Sequence, residues 1–255
     1  MKFITHISTI VALSVNIALA GGALLDGVNL DKPLINNVPH NAYIGGKKVW
    51  SDAIPVKQWA LVFTGTQWID TGIVANSDMR IVVDCVIDES SSGWAYIYGV
   101  RKIYQNITSS IGVGLYPHIA NGMLFEYDGR TSFDFPERFG SRLIIDKSKN
   151  TLYINGIQVA NLPPSEFDTN VSTYLGTMND AGSTNFLYHF SGLIRGYKMY
   201  DSNNNILCDY IPVPLGSTKF STTPAPSNCM FDAVTQQYFE NKGTGVFGII
   251  EEVTP

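Results

Sequence analysis

The chain has 255 residues and a formal net charge of −5, which excludes the basic surface needed for non-specific binding to nucleic acid or anionic membranes. Hydrophobic residues make up 45% and charged residues 15%, so the chain is not disordered and has enough apolar surface for a sizeable core. Three cysteines (Cys85, Cys208, Cys229), none at C-x-x-C spacing, exclude a disulfide framework or a local zinc motif, though Cys208 and Cys229 can pair if the fold joins them.

Residues 1–20 support two readings. Lys2, an apolar stretch over 7–19 and the small-x-small run Ala18-Leu19-Ala20 fit a cleaved signal peptide. The same stretch alternates Val11, Leu13, Val15, Ile17 and Leu19 against small or polar neighbours, the period-two pattern of a half-buried strand. Asn16 at the centre favours the strand, an arm that anchors by adding to a neighbour's sheet edge. Residues 21–56 are punctuated by Gly21-Gly22, Asp26-Gly27, Asn36-Asn37 and Gly45-Gly46, and read as a hairpin connector. Gly45-Gly46 between Tyr43-Ile44 and Lys47-Lys48 fits a two-residue hairpin turn.

From Trp59 on, strand-like runs recur at 60–63, 81–87, 94–100, 111–115, 123–127, 142–145, 151–154, 172–175 and 193–200. Asn155-Gly156 is a strong hairpin signal, and Pro212, Pro214, Pro224 and Pro226 predict a long loop over 212–228. No sustained helical period and no solenoid repeat is visible, so the pattern predicts two antiparallel sheets packed face to face.

Three ordered blocks then carry a resemblance. They are F-T-G-T-Q-W-I-D-T-G at 63–72, L-I-I-D-K with T-L-Y-I-N-G at 143–156, and F-S-G-L-I-R-G-Y-K-M-Y-D at 190–201, which runs on through C-D-Y-I-P-V to M-F-D-A-V-T-Q-Q-Y-F and G-T-G-V-F. Together they resemble the laminin-G/concanavalin A-like jelly-roll domains of tailed-phage structural proteins. The hairpin at 41–50 is similar to one at the start of small phage tail and decoration proteins. The resemblance implies an all-β, concanavalin A-like (laminin-G-like) antiparallel β-sandwich over 57–255, preceded by an N-terminal β arm and small hairpin connector over 1–56. It further implies a virion structural protein (head decoration, fibre, tail or baseplate) located on the virion. Other virion proteins and further copies of the chain are the expected partners, with adhesion to a host polysaccharide. The alternative is a secreted bacterial lectin-like protein whose signal peptide is cleaved.

Hydrolases of similar shape use facing carboxylates; Asp84 and Asp88 flank an apolar run, Glu126 and Asp128 are two apart on one strand face, and only the second pair is suggestive. The Asp128-Gly129 turn accounts for the second pair without catalysis. No nucleophile-elbow, phosphate-loop or zincin motif occurs, so no enzyme and no cofactor is expected. A glycan surface is the better candidate, because sugars stack on rings while polar neighbours orient them. Trp94, Tyr96 and Tyr98 alternate and should share one face, with Tyr104 and Tyr116 in the next segments and Asn121, Asp128 and Arg130 as hydrogen-bonding groups. Core packing of the same rings is the competing expectation. Asp70, Asp128 and Asp180 are loop-adjacent calcium candidates that turn roles explain equally well, so no metal is expected. Sequons at 106–108 and 170–172 carry no weight in a protein made in bacteria.

Overall fold

A computed structural model of the chain describes residues 34–35, 38–39, 43–44, 47–48, 56–91, 93–104, 107–184 and 189–254. The anchoring positions Val11, Leu13, Val15, Ile17 and Leu19 lie outside the described residues. In the connector, Leu34–Ile35 (β1) pairs with Val38–Pro39 (β2), and Tyr43–Ile44 (β3) pairs with Lys47–Lys48 (β4). Ile44 stands opposite Lys47, the register expected of a two-residue connection through Gly45-Gly46. Residues 58–252 form one compact unit, and β1 to β4 belong to another.

The strands that follow are Val56–Thr64 (β5), Ile69–Asn76 (β6), Arg80–Ile87 (β7), Tyr96–Tyr104 (β8), Ile107–Leu115 (β9), Gly122–Tyr127 (β10) and Arg130–Asp134 (β11). Then come Arg142–Ser148 (β12), Thr151–Ile154 (β13), Ile157–Asn161 (β14), Asp168–Leu175 (β15), Met178–Asp180 (β16), Ser191–Tyr200 (β17), Ile206–Val213 (β18), Cys229–Asp232 (β19), Gln237–Phe239 (β20) and Gly248–Thr254 (β21). A short 3-10 turn at Pro136–Arg138 is the helical element among the described residues, where no helix is long and apolar enough to cross a membrane.

These strands form two antiparallel sheets. The smaller runs β11-β10-β9-β8-β15-β6, with β16 adding in parallel to β8. The larger runs β14-β13-β12-β7-β17-β18-β19-β20, with β5 on the first half of β17 and β21 on β5. Period-two burial drives their packing: in β7, Ile81, Val83, Cys85 and Ile87 are buried while their neighbours are partly exposed. Rings bridge the layers. Tyr98 of the smaller sheet meets Tyr197 of the larger at 6.0 Å, and the Tyr210 hydroxyl donates across to the Thr71 carbonyl at 3.1 Å. The all-β sandwich read from the sequence is therefore the fold.

Turn chemistry also holds at specific positions. Asn155 and Gly156 have φ of 51° and 79°, the left-handed pair of a tight hairpin, and Ile154 faces Ile157 across it. The loop predicted over 212–228 is shorter than expected, because β18 continues through Val213 and Pro212 lies in register with Met230 of β19. Pro212 is tolerated because β17 pairs with β18 only as far as Tyr210, so its missing N–H interrupts no bond on that side. Cys85, Cys208 and Cys229 are all buried free thiols. Cys208 lies opposite Met199 and Cys229 opposite Val213, which sets them at different levels of adjacent strands. Burial pushes the Cys208 thiol up to about 12 and the Cys229 thiol up to about 11.

Candidate functional site

The candidate site lies on the smaller sheet, on the face turned away from the sandwich interior. In β10, Met123, Phe125 and Tyr127 enter the core, so Leu124 and Glu126 point the other way. Leu124 forms a separate cluster with Tyr96 and Met178, against which Trp94 and Tyr116 pack. Gly99 and Gly112 face each other across β8 and β9, and a Cβ at Gly99 would stand 2.7 Å from the Met178 terminal methyl. The glycine pair thus makes the slot that Met178 fills.

The sequence expectation that Trp94, Tyr96 and Tyr98 share one face does not describe this geometry. The β8–β9 register shifts between Tyr96 and Tyr98, a bulge that breaks the alternation. Tyr96 turns to the outer cluster while Tyr98 enters the core against Tyr197. Trp94 precedes the strand altogether, and Tyr104 ends it, with a side chain outside the described residues.

Three rings then gather at one end of the face. Trp94 and Tyr116 meet edge to face at 5.0 Å, and His118 lies 5.6 Å from Trp94 and 5.3 Å from Tyr116. His118 is exposed, and Trp94 and Tyr116 are partly exposed. Beside them stands Glu126, only 1% exposed. Its Oε1 accepts from the Tyr96 hydroxyl at 2.7 Å and from Arg101 at 2.8 Å, and lies 3.2 Å from Arg130. Arg101 also reaches Asp180 at 3.7 Å, so two carboxylates share its guanidinium. Arg130 lies over the Trp94 ring, 5.6 Å from its centroid. Burial, then the charge of Glu126, pushes the Tyr96 hydroxyl far above the ordinary phenol range and keeps it a donor. Glu126 Oε2 and Asp180 Oδ1 are buried and have no hydrogen-bond partner. A buried acceptor left unfilled costs roughly 1–3 kcal/mol, and an ordered water or another donor ordinarily satisfies it.

The remaining candidates serve turns. Asn121 has φ of 57°, and its side chain accepts from Arg138 at 2.6 Å. Asp128 has φ of 47° and accepts from the Ser165 hydroxyl at 2.5 Å. Asp84 is held by Arg142 at 2.6 Å on the larger sheet, while Asp88 accepts from the Ser90 backbone at 2.7 Å. Asp70 accepts from the Gly72 N–H at 2.9 Å. Asp70, Asp128 and Asp180 thus take separate partners, and no cluster of three or more metal-ligating side chains occurs among the described residues. A cleft of about 590 Å³ opens at the ends of β5, β7 and β17 over Val62, Val86 and Leu193, but the aromatic cluster is on the other sheet and contributes nothing to it.

No family model and no curated protein matches the chain. Similar solved structures exist. One is a candidate carbohydrate-binding protein from Bacteroides ovatus, at 10% identity and a TM-score of 0.48, covering 80% of this chain and 61% of that one. Another is a native heptameric SAP-like pentraxin from Limulus polyphemus, at 10% identity and a TM-score of 0.47, covering 79% of this chain and 98% of that one. The chain therefore spans less than two thirds of the Bacteroides protein.

Sequence reasoning missed Arg101 and His118, and named Glu126 only as half of a hydrolytic pair. Period two along β10 carried a usable signal for Glu126, since Met123, Phe125 and Tyr127 claim the core face. For Arg101 the intervening bulge removed that signal.

Proposed function

We propose that the chain binds carbohydrate without turning it over, through the outer face of the smaller sheet around Trp94, Tyr116, Glu126 and Arg130. The observation that carries this reading is the ring cluster beside a buried carboxylate with one oxygen unfilled. Rings take the C–H face of a sugar, and a carboxylate takes its hydroxyl protons. Hydrolysis by paired carboxylates needs a second carboxyl across the scissile bond. Asp128, two residues along, instead binds Ser165, which favours binding over cleavage.

A single small site binds weakly, so useful adhesion rests on many copies acting together. An outward domain of a phage tail, fibre or head-decoration protein supplies such copies, and so does a homo-oligomeric secreted lectin. The alternating pattern at 11–19 favours the virion setting, and intact mass of the native protein separates the two, since retention of residues 1–20 is incompatible with signal cleavage.

Wild type and Trp94→Ala are to be compared on a glycan array, followed by calorimetric titration of any hit. The expected result is at least about a tenfold loss in the variant, the scale of one lost stacking contact, with no new reducing ends after long incubation of wild type with the hit. Equal binding by both proteins sinks the proposed surface, and release of reducing ends sinks the non-catalytic reading.

A further inference from the structure

Arg130 lies across both surfaces that a sugar ring would use. Its guanidinium stands 5.6 Å from the Trp94 centroid and 3.2 Å from Glu126 Oε1, while its side chain remains 50% exposed. Glu126 does not depend on it, because Tyr96 at 2.7 Å and Arg101 at 2.8 Å stay in place when Arg130 leaves. Arg130 faces Glu126 at the end of the β10–β11 hairpin, beside the exposed Asp128-Gly129 turn. Its side chain therefore swings into solvent without breaking a sheet bond. Once it swings, one face of Trp94 is bare, and Glu126 Oε1 loses the contact that Arg130 made.

We propose that Arg130 stands in for the ligand's ring, so that the site takes an uncharged pyranose presenting hydroxyl donors and rejects acidic sugars. This rests on the carbohydrate-binding reading above. The sugar lays its C–H face where the guanidinium lay, and one hydroxyl donates to Glu126 Oε1, the oxygen that Arg130 leaves. A carboxylate or sulfate in that place would meet Glu126. The guanidinium behind it, Arg101, is already shared with Asp180. The Arg130 end of the pair is half exposed, Glu126 keeps Tyr96 and Arg101, and a cation–π contact at an exposed site is weak, so the sugar displaces Arg130 at modest cost.

The test uses an array holding neutral hexose oligosaccharides and oligogalacturonates, with titration of the hits by wild type, Arg130→Ala and Trp94→Ala. Arg130→Ala should bind neutral sugars about tenfold more tightly, with no gain on oligogalacturonate, and Trp94→Ala should lose the neutral hits. Weaker neutral binding by Arg130→Ala, or oligogalacturonate binding by wild type that this variant loses, makes Arg130 a direct ligand and overturns the proposal. Acrylamide quenching supplies a readout that needs no glycan. The difference between wild type and Trp94→Phe isolates Trp94, and Arg130→Ala should raise its quenching. Unchanged quenching sinks the stand-in alone. If neither protein binds any neutral glycan, the carbohydrate reading fails, and the ligand class with it.

Discussion

Lys147 and Glu126 are both buried charged side chains, and the molecule treats them in opposite ways. Lys147 points from β12 into the interior, where its ammonium donates to the carbonyls of Ser77 at 3.2 Å and Met79 at 2.6 Å and lies 5.3 Å from the Tyr127 ring. Two of its three N–H groups close the turn between β6 and β7, and the ammonium faces the Tyr127 ring. Glu126 receives two hydrogen bonds and the Arg130 ion-pair contact on one oxygen and no hydrogen bond on the other. A charge whose bonding capacity is fully used is a structural element, whereas one with capacity to spare is a binding group. The difference lies in what each side chain has left over, since burial alone does not separate them.

The largest expected effect tests whether the cluster on Glu126 is mutually dependent. Glu126→Ala strips the carboxylate from Arg101, itself only 8% exposed, and should cost about 3–5 kcal/mol in urea unfolding. A loss below 1 kcal/mol would place Arg101 in contact with water and dissolve the contrast.

Lys147 gives the next effect through pH. Burial lowers its pKa from 10.5 to about 7, with the charge of Asp78 opposing. Between those values the unfolded chain binds more protons than the folded one, so stability rises as pH goes from about 7 to 10.5. Below pH 7 the folded state carries the full cost of the buried ammonium. Lys147→Met should flatten this slope, on the order of a few kcal/mol across the window. At pH 6 it leaves two carbonyls without a donor, roughly a 1–3 kcal/mol penalty, against a gain of at least the same order from the charge no longer desolvated. Denaturant midpoints at several pH values measure both, and an unchanged slope in the variant would assign the pH dependence elsewhere.

The smallest effect sharpens the comparison. Arg130→Ala should shift stability by no more than about 0.5 kcal/mol, because its pair with Glu126 is half exposed. A loss near that of Glu126→Ala would make Arg130 part of the structural frame and remove it as a displaceable group.

Much of the fold was legible residue by residue. Alternation in 81–87 and 142–145 located β7 and β12, and Asn155-Gly156 marked its hairpin because few residues tolerate two successive left-handed conformations. The period of Leu143 and Ile145 carries one step further to Lys147, but the strand read from the sequence ends at 145 and does not place Lys147 in the core. The site was legible in part. Trp94, Tyr116 and Arg130 were named from residue type, yet their assembly was not visible. Tyr96 and Tyr98 were placed on one face by a rule that a single bulge defeats.

The sequence by itself determined an all-β chain, its turns and the facing of its regular strands, because those follow from local conformational preference and a period of two. The tertiary structure alone decided which polar groups were paired. Arg101, Glu126 and Asp180 come from three separate strands, 25 to 79 positions apart in the chain. Whether a buried oxygen finds a donor depends on bulges and sheet order, which set distances to a fraction of an ångström and leave no periodic trace in the sequence.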